Sequence, residues 1–424
     1  AHFFEIKTFH SFCFDLIGLI GNLDDVKDVV SQAAQMIENG DVEHNRIAKT
    51  VLVIDEAQDM SNGEYALVRA LMNFNEEMRV IAVGDDDQNI YEFRGSDSRF
   101  MTQLLNASGA RFIEMTENYR SSQHIVDFAN KLASRIDNRL KSTPGTSVKR
   151  NDGSVRIHHH VSHTMYLPLV NDLMANRREG DSTCILTQTN EEAVILVALL
   201  RKHGLNSKLV QSMDGLRFWN LAEVRMFLKL INSCSHTPLI ADDAWERAKQ
   251  STFATYAGSS SLQYLQKCLS LFEQTNKAKY LNDFKEFVFE SCIEDFYDFS
   301  GTDIVVSTIH KAKGREFDDV YMLISNPVNI GNELLRRYYV GATRARNRLS
   351  VHTDSSLFDS MPADEHHVCR ELFDMPSDVI LQLSHKDVNL GFFKTRKNEI
   401  LALRAGQELR FENNYLYDCK TNTA

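Results

Sequence analysis

Apolar and polar positions follow two alternating patterns along this chain. Residues 51–54 form a short apolar run that ends in Asp55-Glu56, and residues 79–83 end likewise in Gly84-Asp85. Runs of this length, closed by polar groups, predict buried parallel strands with functional side chains at their carboxyl ends. Between them Ser61-Asn62-Gly63-Glu64 matches a capping box and predicts a helix over 65–74. The pattern restarts after Arg120. Ser121 is a candidate helix cap, followed by a stripe of Ile125, Phe128, Ala129, Leu132 and Ile136 at helical spacing, and Pro144-Gly145 marks a loop. Residues 155–161, 183–186, 304–307 and 320–324 read as strands, and about 191–203 as a helix. Strand, helix, strand is the α/β unit, whose ligands sit beyond the carboxyl ends of the strands.

From about 213 to 298 strand signals fade. Leu262, Leu265, Leu269 and Phe272, then Phe284, Phe287 and Val288, follow helical spacing. Beyond Thr353 the chain turns loop-rich, with a segment over 387–393, a short helix near Ile400 and strands around Leu409 and Leu416. The expected organisation is a first α/β domain over 1–116 and a second over 117–212 and 301–355. The second is interrupted by a helical insertion over 213–300 and followed by a small C-terminal module over 356–424.

Composition narrows the class. The 424 residues are 43% hydrophobic and 25% charged, as in ordinary globular proteins. No apolar run approaches the roughly 20 residues needed to cross a bilayer, so no membrane role is expected. Seven scattered cysteines predict reduced thiols and a cytoplasmic location. A net charge of −11 opposes nucleic-acid binding by a bulk basic surface. A local groove is then required, and Arg336, Arg337, Arg344, Arg346 and Arg348, clustered without an intervening acid, are a candidate.

Candidate chemistry begins with Asp55-Glu56-Ala57-Gln58-Asp59. Two acids after a strand suit phosphate hydrolysis, one holding Mg²⁺ through water and one orienting the attacking water. The same pair also suits a solvated turn. In 84–95 a Gln, two aromatics and an Arg leave the second strand together (Gln88, Tyr91, Phe93, Arg94). A Gln near a γ-phosphate can sense it, and aromatic faces can stack on bases; two core aromatics in a turn would look alike.

Taken in order, these segments resemble the superfamily-one DNA helicases of the UvrD/Rep/PcrA type. Residues 51–59 are similar to that family's Walker B motif and 83–96 to its third motif. Thr116-Glu117-Asn118-Tyr119-Arg120-Ser121 resembles the fourth motif, 306–317 the fifth, and Tyr339-Val340-Gly341-Ala342-Thr343-Arg344-Ala345 the sixth. Thr8-Phe9-His10-Ser11-Phe12 is similar to a DNA-contacting motif that precedes Walker B, and 215–230, with Phe218 and Glu223, is a weaker match. The resemblance implies two RecA-like parallel-sheet domains of the P-loop NTPase helicase fold and use of ATP and Mg²⁺. It further implies movement on single-stranded DNA, 3′ to 5′, with duplex/single-strand junctions as partners, in repair or recombination.

By that resemblance Asp55 holds Mg²⁺, Glu56 activates water, Gln88 contacts the γ-phosphate, and Arg120 and Arg344 neutralise phosphoryl charge. Tyr119 stacks on adenine, and Gly314 and Glu316 lie near the nucleotide. Thr8, His10, Tyr91, Phe93, Arg94, Thr308 and His310 follow the DNA strand, with Phe93 where many relatives carry Trp. No Gly-x-x-x-x-Gly-Lys-Ser/Thr occurs, so the nest that cradles the phosphates is missing. The first residue is Ala, and the expectation is a piece of a longer chain, inactive by itself. About forty residues separate Phe12 from Asp55, where relatives often carry a helical subdomain.

His158-His159-His160 with His163 invites a metal reading, since alternate strand residues share a face. No Cys or acid stands at ligand spacing, and no structural metal is expected. The tail, with 387–393 and 406–409, resembles a segment found after this motor in composite proteins that also carry a RecQ-type helicase. Two rival classes remain. An ATPase-inactive DNA-binding or scaffold module is opposed by retention of Asp55, Glu56, Gln88, Arg120 and Arg344. The motor part of a helicase-nuclease lacks support in the tail, which shows no nuclease-like acidic cluster.

Overall fold

Helices α1 (Phe9–Ile17), α2 (Val29–Asn39) and α3 (His44–Ile47) lead into β1 (Val51–Ile54), α4 (Asn62–Phe74), β2 (Arg79–Ala82) and α5 (Arg99–Leu105). This is a computed structural model that describes residues 5–17, 29–92, 95–107, 109–210, 217–234, 239–296, 304–325, 327 and 329–375, and then 395, 398–399, 403, 407–412 and 415–419. β1 and β2 pair in parallel, Val51 opposite Arg79 through Ile54 opposite Ala82. The capping box closes both ways: Ser61 accepts from the Glu64 N–H, and the Glu64 carboxylate accepts from the Ser61 N–H. Cys13, Val30, Ala33, Leu67 and Leu71 bury α1, α2 and α4 against one another.

The expected burial of β1 and β2 is only half met. Successive strand residues face opposite sides, and one side, with Ile54, packs on Val68 of α4 and Phe100 of α5. On the other side Val51, Val53 and Ile81 are 52%, 59% and 51% exposed, and nothing among the described residues covers them.

The second layered region contains β3 (Glu117–Asn118), α6 (Gln123–Ala133), β4 (Thr146–Ser147), β5 (Ser154–His160), α7 (Tyr166–Asn176), β6 (Thr183–Thr187), α8 (Asn190–Lys202) and β7 (Ser207–Val210). The stripe Ile125, Phe128, Ala129, Leu132 and Ile136 is buried as expected. Ser121 does not cap α6. Its hydroxyl donates to the Ala345 carbonyl and that of Ser122 to the Arg346 carbonyl, because both hydroxyls are drawn to a neighbouring strand.

Helices α9 (Ala222–Cys234), α10 (Asp242–Thr255), α11 (Leu262–Thr275) and α12 (Leu281–Glu290) come next. β8 (Ile304–Thr308), β9 (Phe317–Ile324), α13 (Asn332–Ala342), β10 (Ala345–Thr353) and β11 (Glu365–Cys369) follow, and the hairpin strands β12 (Leu409–Glu412) and β13 (Tyr415–Asp418) pair in antiparallel fashion. Seven of these strands form one parallel sheet in the order β11-β5-β10-β9-β6-β8-β7. Its centre is apolar on both faces, with Ile185, Val306 and Leu323 packed on Leu169 and Leu173 of α7 and Leu196 and Leu200 of α8. Asn190 opens α8 behind a second complete capping box, Thr189 with Glu192.

The chain is thus an α/β protein built on parallel sheets. It separates into two compact units, Ala1–Gln211 with Phe299–Leu381, and Ser212–Asp298 with Gln382–Ala424. The second unit is helical between 222 and 290 around Trp245, whose ring meets Phe227, Phe272 and Phe284 and whose Nε1 donates to Glu273. The expected segment over 387–393 and the helix near Ile400 lie outside the described residues. No helix among the described residues is long and apolar enough to cross a membrane.

Candidate functional site

The turn after β1 is held in an unusual backbone. Glu56 takes a left-handed conformation, φ 49° and ψ 41°, which costs a residue with a Cβ about 1–2 kcal/mol. Asp55 Oδ1 accepts the Glu56 N–H at 2.9 Å. Gln58 is fully buried and joins the ends of the two strands: Nε2 donates to Glu56 Oε2, and Oε1 accepts the Asp85 N–H at 3.0 Å. Gly84 is required for that approach. A Cβ there would stand 2.4 Å from Gln58 Oε1 and 3.1 Å from the backbone nitrogens of Ala57 and Gln58. Asp55 and Glu56 face solvent and form no ion pair among the described residues, which suits a hydrated divalent cation.

Gln88 lies in the turn after β2. Its Nε2 donates to Asp85 Oδ2 at 2.8 Å, and its Oε1 accepts from Arg344 Nη2 at 3.0 Å. Arg344, which immediately precedes β10, is 1% exposed and also donates to the Val340 and Arg315 carbonyls. Burial, then the Arg120 charge, brings its guanidinium down to about 10, so it stays protonated at neutral pH. Tyr339 donates its hydroxyl to Asp85 Oδ2 at 3.2 Å. Asp85, Gln88, Asn118, Arg120, Tyr339 and Thr343 line a cavity of about 130 Å³.

Arg120 and Glu316, expected at phosphate and ribose, pair with each other at 2.5 Å, and Arg346 holds the second Glu316 oxygen at 3.0 Å. Burial raises the Glu316 carboxyl, but these cations outweigh it and leave it below its usual range. Tyr119 is 70% exposed, its hydroxyl donating to Glu117, so its ring face is open to solvent. Gly314 supplies φ 81° in the turn before Glu316. Asp55, Glu56 and Tyr119 stand outside the cavity lining.

Two of the expected DNA positions meet. Tyr91 donates its hydroxyl to the His310 carbonyl at 3.0 Å, with ring centroids 6.4 Å apart. Thr308, at the end of β8, is buried; Thr8 and His10, at the start of α1, are exposed, and Thr8 Oγ1 accepts the Ser11 N–H. Phe93 and Arg94 lie outside the described residues. Sequence reasoning passed over Lys313, whose ammonium bonds both Asp59 oxygens and the Gln88 carbonyl and sits 4.9 Å from the Tyr91 ring centroid. Its place in the fifth motif, three residues after His310, was the available signal. Gln58 and Tyr339 were likewise inside quoted motifs without a role.

The basic cluster over 336–348 is not a free groove. Arg336 pairs with Glu92, Arg337 with Glu333, Arg346 with Glu316 and Arg348 with Asp181 and Asp319, while Arg344 is buried. Glu333 lies one helical turn from Arg337, and the other acids are distant in sequence. A further tie joins the β2 turn to the loop after α6: Arg139 grips the fully buried Asp87 with both Nε and Nη2, and the Leu140 N–H donates to Asp86 at 2.8 Å. Burial pushes the Asp87 carboxyl up to about 6 against the pull of Arg139.

Gln88, in the turn after β2, thus meets Arg344 at the start of β10, with the strand-end acids Asp55 and Glu56 on the turn after β1. Comparison with known proteins identifies the family. Residues 19–109 match the UvrD/REP helicase N-terminal domain, and 113–238 and 303–351 match UvrD-like helicase C-terminal domains. The chain belongs to the UvrD-like DNA helicase family. It is 33% identical over 137 residues to the ATP-dependent DNA helicase Rep of Buchnera aphidicola subsp. Schizaphis graminum, covering 32% of this chain and 20% of that one. It is 38% identical over 100 residues to DNA helicase II of Escherichia coli (strain K12), covering 23% and 14%. It is 24% identical over 307 residues to the ATP-dependent DNA helicase PcrA of Staphylococcus aureus, covering 69% and 39%. The chain therefore spans well under half the length of these relatives.

Proposed function

We propose that this chain is part of an ATP-driven motor that moves on single-stranded DNA, 3′ to 5′, and opens duplex/single-strand junctions in DNA repair or recombination. In this reading 1–116 and the seven-stranded sheet region are RecA-like domains. The observation that carries it is the Gln88–Arg344 bond, which joins the turn after one parallel sheet to the start of a strand in the other. A γ-phosphate between such groups would couple hydrolysis to closure of the two sheets.

Mg²⁺ bound with ATP neutralises phosphate charge and orients the γ-phosphoryl group. Asp55 would hold that ion, and Glu56 would orient the attacking water and take its proton. Gln88 would turn its Nε2 from Asp85 Oδ2 to donate to a γ-phosphate oxygen. Arg344 and Arg120 would then carry the charge that develops on the phosphoryl oxygens, with Arg120 released from Glu316. Tyr119 would stack on the adenine, with Gly314 and Glu316 along the ribose. Thr8, His10, Tyr91, Phe93, Arg94, Thr308 and His310 would line the strand, and Lys313, bonded to the Gln88 carbonyl and lying over Tyr91, would connect nucleotide state to base stacking.

The test is DNA-stimulated ATP hydrolysis. Residues 1–424 alone should turn over little ATP, because their sequence holds no Gly-x-x-x-x-Gly-Lys-Ser/Thr; a polypeptide that supplies one should be active. In it Glu56→Gln should abolish turnover while retaining Mg-ATP binding, and Phe93→Ala should weaken single-stranded DNA binding by about 1–3 kcal/mol in fluorescence anisotropy. Robust hydrolysis by residues 1–424, or a rate indifferent to Glu56, would overturn the reading.

A further inference from the structure

Strand alternation puts Arg156, His158 and His160 on one face of β5. The parallel register sets His352 of β10 directly across from His158 on one side and His367 of β11 on the other. The three imidazoles stack, with His158 ring centroids 4.4 Å from His352 and 4.9 Å from His367. The acid that the sequence lacked at ligand spacing arrives from α7. Asp172 Oδ2 lies 3.1 Å from His352 Nε2 and 3.6 Å from His158 Nε2, and its Oδ1 is held by Arg156 Nη1 at 3.1 Å and Asn176 Nδ2 at 2.8 Å. His352 is 1% exposed, and the side chains of His158 and Asp172 are 12% and 8% exposed.

His158 Nε2 is the telling atom. It is buried and has no hydrogen-bond partner, although a carboxylate oxygen of Asp172 lies 3.6 Å away. An orphaned polar atom of this kind costs stability unless something binds it. One ligand atom from each of His158, His352 and Asp172 fits within a 4.8 Å span. We propose that His158 Nε2, His352 Nε2 and Asp172 Oδ2 form a binding site for a zinc-class transition-metal ion, separate from the nucleotide chemistry.

The donor set selects the metal. Two imidazoles and one carboxylate suit Zn²⁺, Co²⁺ or Ni²⁺, whereas Mg²⁺ and Ca²⁺ prefer oxygen alone. The outer contacts are also of the right kind. His160 Nε2 lies 3.0 Å from His352 Nδ1, so it can accept the Nδ1 proton and leave His352 Nε2 bare for the ion. Arg156 opposes the ion electrostatically while bonding chiefly to the other carboxylate oxygen, which makes the site one of moderate affinity. A bound ion would cross-link β5, β10 and α7.

The test is titration of the metal-stripped chain with Co²⁺ and Zn²⁺. One equivalent of Co²⁺ should bind with visible ligand-field bands, Zn²⁺ should displace it, and Zn²⁺ should raise the melting temperature. His158→Gln and Asp172→Asn should each weaken binding at least about 10–100-fold, the range for metal-site losses. Arg156→Gln should tighten it, a change of sign that a merely structural role does not give. His163→Ala, at a side chain 88% exposed, should change nothing. Absence of stoichiometric binding, retention of full affinity in folded Asp172→Asn, or loss on His163→Ala would each overturn the proposal.

Discussion

Removing either end of the Arg139–Asp87 pair should destabilise the chain, and by unequal amounts. Breaking a buried ion pair by deleting one partner typically costs about 3–5 kcal/mol, because the survivor is left uncompensated. The Arg139 side chain is 20% exposed and can turn toward water, whereas Asp87 is sealed at 0%. Asp87→Ala should therefore cost about 2 kcal/mol, and Arg139→Ala about 3–4 kcal/mol, with a coupling of about 2 kcal/mol in the double-mutant cycle. Urea unfolding followed by circular dichroism gives these values. A pH series adds a second check. The folded Asp87 carboxyl already titrates near 6, above its ordinary value, and without Arg139 it should move higher. Protonation then relieves the stranded charge, so the Arg139→Ala penalty should shrink as pH falls through that range. A coupling below about 0.5 kcal/mol, within the additivity error of independent sites, or an Asp87→Ala cost exceeding that of Arg139→Ala, would refute the reasoning.

Gly84→Ala should destabilise by about 3 kcal/mol, combining overpacking against backbone nitrogens with loss of the Gln58 acceptor for the Asp85 N–H; a Gln58→Ala background should remove part of the cost, measured by the same unfolding curves. In an ATP-hydrolysing polypeptide, Arg344→Ala should lower turnover about 10³-fold with a much smaller effect on ATP affinity, and a change under about threefold would place it outside the site. Acid should weaken the fold, because the folded pKa values of His158 and His160 lie below their unfolded value. Stability should be full above the ordinary histidine range and fall as pH drops from about 6.5 toward about 4. His158→Gln should flatten that slope, read from the urea midpoint at each pH.

Segments whose burial is written in apolar runs were legible from sequence: β5, β6, β8, β9, α4, α6 and α8 all lie within a few residues of their expected bounds. Among those missed, β10 has polar residues at buried positions. β10 carries Ser350, His352 and Thr353, all buried, beside the charged Arg346 and Arg348, and reads as a basic loop until Asp319 and Glu316 are seen to answer it. α7 hides behind Pro168 in its first turn, where a proline is tolerated. Missing α7 concealed Asp172, and with it the acid for the histidine cluster. At the site, motif letters identified Gln88 and Arg344, which do meet. That Arg120 and Glu316 pair with each other, and that Lys313 spans Asp59 and Tyr91, depend on side chains brought together by tertiary folding, which spacing does not encode.

Glu56 illustrates a tension between durability and work. Its left-handed backbone is one that Gly or Asn adopts readily and Glu does not, so this position pays in folding free energy for the side chain it presents. The tension is held in balance. Glu56→Gly would relieve about 1–2 kcal/mol of backbone strain, but it would also remove the acceptor of the buried Gln58 Nε2 donor, a loss of about 1–3 kcal/mol. The carboxylate on which turnover is proposed to depend is thus tied into the fold as well, and a search for hardier variants that scored stability alone would have a reason to keep it.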